Sequence, residues 1–259
     1  MLRPTGNARA TRSIRAVERT PGPVARARVR WGLPDVVIAY VVGAFGAAVL
    51  VAPFYDQSKP ASEQSVWFLL ATVLLQNALW LVAFRIISNI KGRHSLRKDF
   101  GLYLSASAVW LRTFAVWVLA GVGVAVAGNL LLAPLNAIGS FDDQVQDVAN
   151  ALDRSAGFGR FLFALAVVTI VPLGEELVFR GGMLRALQRR FTVPVAVFVT
   201  ALVFALSHVL GDPGSYPAVP ALLLIGLISG WQAARSGDLT RSIAIHCGFN
   251  LLAALQLLR

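Results

Sequence analysis

Charge is kept out of most of this chain. From residue 34 to 53 the only ionisable carboxylate is Asp35, and FLFALAVVTIVPL (161–173) carries no charge at all. Such runs reach the ~20 apolar residues that a helix needs to cross a bilayer. Spans are expected at about 34–53, 66–88, 113–134, 161–178, 193–210, 219–234 and 242–258, the fourth continuing as one rod toward residue 190. The pattern predicts an all-α, polytopic membrane bundle of about seven transmembrane helices. FDDQVQDVANALD (141–153) is too polar to span. Its Phe141, Val145, Val148 and Leu152 recur at helical spacing, so a short amphipathic helix on the outer face is expected.

Composition agrees: the 259 residues are 56% hydrophobic and 14% charged. The net charge of +11 is a topology signal and does not point to nucleic acid. Residues 1–30 hold Arg3, Arg9, Arg12, Arg15, Arg19, Arg26, Arg28 and Arg30 against Glu18, and read as a disordered cytoplasmic tail ahead of a membrane domain at 31–259. An Arg-rich, acid-poor start also fits an organelle transit peptide. Arg85, Lys91, Arg93, Arg97, Lys98 and Arg112 follow on the same side, then Arg185, Arg189 and Arg190. The intervening loops hold Asp56, Glu63, Asp142, Asp143, Asp147, Asp153 and Asp212. This alternation places the N-terminus in the cytoplasm of a multi-pass protein, with the plasma membrane as the expected location and the bilayer as a partner. Trp31, Trp67 and Trp110 are expected near span ends, as in an aromatic belt. Cys247, the single cysteine, reads as a packing residue and excludes an internal disulfide. Gly226 and Gly230 in GLISG read as close helix packing, and Gln76, Asn77 and Asn129 as interhelical hydrogen-bonding groups.

Three polar islands interrupt the apolar runs. Glu175 and Glu176 are half of the chain's glutamates and stand together, with Arg180 one turn on. FALSH supplies Phe204 and His208; HCGFN supplies His246 and Asn250. Glu176 and Arg180 share a helix face at i and i+4, so they can pair and leave Glu175 as a base. Glu175 and His208 are about equally far from the turn near 191–192. Antiparallel helices therefore bring them to one depth, roughly 20–25 Å from that turn. His246 is only five residues past Arg241 and should be too shallow to join them, unless the SGDLTR loop dips into the bundle.

EELVFR, FALSH and HCGFN resemble, in order, the EExxxR, FxxxH and HxxxN motifs of the CPBP intramembrane proteases, the family of the CAAX prenyl endopeptidase and bacteriocin-processing enzymes. The resemblance covers about 158–258. It implies a membrane-embedded endopeptidase acting on a peptide or membrane-protein substrate. Glu175 and His208 would activate a water, His246 and Asn250 would stabilise the tetrahedral oxyanion, and Glu176, Arg180 and Phe204 would support them. Glu175, His208 and His246 also form a His₂Glu set of the kind zinc hydrolases use, and the family has been described both ways; without HExxH, the metal-free glutamate mechanism is favoured. Two other readings compete: a non-catalytic scaffold or immunity-type protein of the same fold, and a proton-coupled carrier. For the protease, a conical cavity opening toward the cytoplasmic face is expected, because a carboxylate sealed in hydrocarbon would be protonated and inert.

Overall fold

The computed structural model describes residues 29–59, 64–138, 157–211 and 213–257. The described residues fold into helices: α1 (Leu33–Val51), α2 (Val66–Lys91), the short α3 (Leu96–Phe100), α4 (Ala108–Ile138), α5 (Phe158–Leu187), α6 (Val193–Gly211), α7 (Val219–Ser236) and α8 (Thr240–Leu257). The polar segment 141–153 and the arginine tail through residue 28 lie outside the described residues.

Among the described residues, six helices are long and apolar enough to cross a membrane. The expected seventh span, α8, forms where the sequence places it but is less apolar, with Arg241, His246, Asn250 and Gln256 along it. Its position explains this. From Ser242 to Cys247 every residue is buried, so α8 meets neighbouring helices where an outer span meets lipid. Helices α4, α5 and α7 surround it.

The local chemistry of the ends is ordinary. Pro34 sits in the first turn of α1, and Asp35 accepts from the Gly32 N–H at 2.8 Å. Ser65 caps α2 and Ser95 caps α3 through their side-chain oxygens. Helix α5 is unusual. It does continue as one rod past the glutamates, but Leu177–Leu184 is wound as a π-helix. This rare geometry is found frequently at functional sites. Leu177, Val178, Phe179, Arg180, Gly181, Gly182 and Leu184 are all buried. The segment touches α1, α3, α6 and α7 and forms the hub of the bundle.

The arginine-rich end is roofed over. The connection 92–101, including α3, lies against the α7–α8 turn, where the Leu239 N–H donates to the Gly101 carbonyl at 3.0 Å. Arg185 donates to the carbonyls of Gly237 and Asp99, and Arg189 to that of Trp31. Trp31 is 2% exposed, packed between Phe100 at 4.7 Å and the Arg189 guanidinium at 4.0 Å. It is a core residue, unlike the belt tryptophan expected there; Trp67 does face outward.

Candidate active site

The π segment and the start of α8 determine which polar side chains meet. Glu175 and Glu176 end the regular part of α5. One turn later, Arg180 sets its Nη1 3.1 Å from Glu176 Oε1, with both side chains wholly buried. The same guanidinium donates to the Gly226 carbonyl at 3.3 Å and lies 4.5 Å above the Phe204 ring. GLISG thus packs α7 on α6, as its small residues suggest, and also lends a carbonyl to this ion pair.

Glu175 turns to the other side and stands between the two histidines. Its Oε1 is 3.9 Å from His208 Nε2, and its Oε2 is 3.5 Å from His246 Nε2. His246 joins the glutamates because the α7–α8 turn lies within the bundle: Leu239 is wholly buried and Thr240 6% exposed. Roofing by the 92–101 connection lets α8 begin below the bundle end, which resolves the depth expected from counting residues.

Hydrogen bonds assign the ring nitrogens. His208 Nδ1 lies 2.9 Å from the Phe204 carbonyl, which can only accept, so Nδ1 carries hydrogen. In the neutral ring, Nε2 then presents a lone pair toward Glu175 Oε1. Two acceptors 3.9 Å apart do not bond each other; a water donating one hydrogen to each satisfies both. His246 Nδ1 is 3.0 Å from Glu176 Oε1 and donates to that carboxylate. Phe204 supports both rings, with centroids 4.8 Å from His208 and 5.6 Å from His246 in edge-on contact.

Asn250 is placed differently from a free oxyanion donor. Its Nδ2 donates to the Val167 carbonyl at 2.9 Å. That carbonyl lies next to Val168, whose usual i+4 donor is missing because residue 172 is proline. Asn250 therefore ties α8 to α5 beside the proline, with its second amide hydrogen remaining.

Three contributors lie outside the motifs' fixed positions. Ser242, one turn before His246 on the same face of α8, is wholly buried close to Glu176 and donates to the Leu239 carbonyl at 3.1 Å; that spacing could have revealed it. Tyr40 of α1 lies near Ser207 and within electrostatic reach of Glu175; it is the single tyrosine inside a predicted span. Ser207 in turn donates to the Phe204 carbonyl at 2.7 Å. Other polar residues are not the expected glue. Asn77 donates to Val73 within its own helix, while Asn129 is exposed. Cys247 is buried, as a packing residue should be.

Among the described residues, apolar side chains occupy the place where a cavity toward the arginine-rich end is expected. Leu177 (1%), Val178 (0%), Leu184 (1%), Leu239 (0%) and Ile243 (3%) fill the space between the glutamates and that end. The exposure of the site is on its other side, at the His208 side chain (30%) and the Glu175 side chain (14%).

Residues 157–252 match the family described as type II CAAX prenyl endopeptidase Rce1-like. An uncharacterized 24.3 kDa protein of Escherichia coli is 31% identical over 87 residues, which are 33% of this chain and 39% of that protein. The match thus spans about two fifths of that relative's length. No solved structure matches the chain. The matched region contains every clustered side chain of the three motifs, so the site lies within the stretch, residues 157–252, that is similar to this family.

Proposed function

We propose that this protein is an intramembrane endopeptidase in which Glu175 and His208 together activate a water for attack on a peptide carbonyl. The observation that carries the reading is the pair of acceptors, Glu175 Oε1 and the His208 Nε2 lone pair, 3.9 Å apart and part-exposed. A water held there points both hydrogens at bases and its own lone pair outward, the orientation that nucleophilic attack requires. Glu175 takes the proton as general base and can return it to the leaving amine.

His246 supplies the positive counterpart. It donates from Nδ1 to Glu176, and with a second proton on Nε2 it also donates toward Glu175 or a developing oxyanion. Two carboxylates then balance Arg180 and His246, which suits a water-poor interior. Asn250 contributes by its remaining amide hydrogen and by fixing α8 against α5.

The proposed route uses the chain's own groups and no metal. Were zinc bound, Glu175, His208 and His246 would be the residues to hold it, and it would supply a more acidic water at the same place.

Substrates are peptides or membrane proteins reaching the site within the bilayer, and the arginine-rich end is the cytoplasmic one. The test compares cells producing wild type, Glu175→Gln or His208→Ala at equal, correctly inserted levels. Membrane proteins cleaved by wild type should accumulate uncut with either variant. An unchanged cleavage pattern would replace this reading by a scaffold of the same fold.

A further inference from the structure

The motif cluster has a polar neighbour from the first half of the chain. Tyr40 of α1 is held by Trp80 of α2, whose Nε1–H donates to the Tyr40 carbonyl at 3.2 Å and whose ring stacks on the Tyr40 ring at 5.9 Å. The same indole is wedged between α1 and α5. A methyl group added at Gly43 would overlap it, and one added at Gly174, the residue before Glu175, would crowd it. The Tyr40 ring also meets Phe179 edge-on at 6.0 Å, and Phe179 meets Phe204 at 5.2 Å, so Tyr40 stands in the aromatic row that ends at His208. These contacts fix a part-exposed phenol near Ser207 and within electrostatic reach of Glu175.

Hydrogen-bond donors are scarce around Glu175. Its ionised carboxylate can only accept. The one Ser207 hydrogen is spent on the Phe204 carbonyl at 2.7 Å, so the Ser207 oxygen can only accept as well. On α8, one Asn250 amide hydrogen is held by the Val167 carbonyl at 2.9 Å. The Tyr40 hydroxyl is a donor set among these acceptors, and it belongs to a helix outside the matched stretch 157–252.

We infer that Tyr40 is a further catalytic residue of the endopeptidase reading, on which this rests: its O–H donates to the oxygen of the scissile carbonyl as that oxygen becomes negative. Water attacks the carbonyl carbon, and the C=O electron pair moves onto the oxygen. Glu175 takes the water's proton and returns it to the amide nitrogen as the C–N bond breaks. Tyr40 keeps its own proton throughout, donating from α1 while His246 donates from α8. Because this hydrogen bond strengthens as charge develops, it lowers the barrier more than it tightens binding.

Purified wild type, Tyr40→Phe and Ser207→Ala are incubated with membranes from cells lacking this protein, and new carboxyl termini are followed in time by mass spectrometry. Phenylalanine keeps the ring contacts with Trp80 and Phe179, so thermal unfolding in detergent should stay close to wild type. The cleavage rate of Tyr40→Phe should fall about 10²-fold, as for loss of one oxyanion donor. Ser207→Ala, which removes an acceptor and leaves the phenol, should fall less. Uncut membrane proteins should co-purify in equal amount with Glu175→Gln and with Glu175→Gln/Tyr40→Phe, because the bond is made in the transition state. A Tyr40→Phe rate within about threefold of wild type would overturn the proposal and leave the endopeptidase reading standing. Equal losses in Tyr40→Phe and Ser207→Ala would overturn it by making Tyr40 a prop for α6, and reduced capture by the double variant would make it a binding contact. A wild type that forms no new termini would sink both readings.

Discussion

Arg180 shows what one residue does here. Its guanidinium neutralises Glu176, whose Oε1 also receives the His246 Nδ1–H, so a single side chain sustains an interaction that orients the His246 imidazole. Arg180→Ala leaves a wholly buried carboxylate without its cation. Removing one partner of a buried pair typically costs about 3–5 kcal/mol. Thermal unfolding in detergent should show a large drop for Arg180→Ala and a smaller one for the double variant Arg180→Met/Glu176→Gln, which removes both charges. Equal stability of Arg180→Ala and wild type would mean that the pair contributes nothing to the fold.

Among elements, α8 is the one whose placement the whole site depends on. It is pressed against α4 at Gly248, where an added methyl group would overlap the Val118 carbonyl oxygen. Gly248→Ala should therefore push α8 away, cost about 1–3 kcal/mol as overpacking does, and reduce cleavage by moving His246, which lies half a turn away. Gly123→Ala on α4 meets nothing and should behave as wild type in both assays. Matching stability of the two variants would show that α4 does not set the position of α8. The helices themselves were legible in the sequence because an apolar run of span length has few other folds available in lipid. The π winding of LVFRGGML was not. Its composition suits an α-helix, and the segment packs against α1, α3, α6 and α7, of which all but α6 lie far off in sequence.

Across the whole molecule, the arginine-rich roof couples the first half of the chain to the stretch 157–252, and its main acidic member is Asp99. Burial pushes the Asp99 carboxyl upward, but hydrogen bonds from Ser88 and Arg93 and the Arg93 charge outweigh it, leaving the group below its usual value of 3.8. The folded state therefore holds this proton less tightly than the unfolded chain. The stabilisation is fully present above that value and is lost as pH falls below it, through the lower folded-state value. Thermal unfolding followed from pH 6 to pH 2 should show a loss of stability at the acid end that is blunted in Asp99→Asn; an identical acid limb would remove Asp99 from the account. The sequence announced the three motifs, since polar islands are conspicuous in apolar runs. It could not announce which end of the bundle is closed. That depends on Trp31, Phe100 and Leu239, ordinary apolar residues whose role appears only when the 92–101 connection is laid over the α7–α8 turn.

Water activated by Glu175 leaves an isotopic trace that no scaffold or carrier can produce. Membranes from cells lacking this protein are incubated with purified wild type or Glu175→Gln in water enriched in ¹⁸O, and peptides are searched by mass spectrometry for newly formed carboxyl termini carrying the label. Wild type should generate labelled termini on a defined set of membrane proteins, with none above background for Glu175→Gln. Labelled termini in equal amount from both proteins, or from neither, would contradict the assignment of Glu175 as the base of an intramembrane endopeptidase.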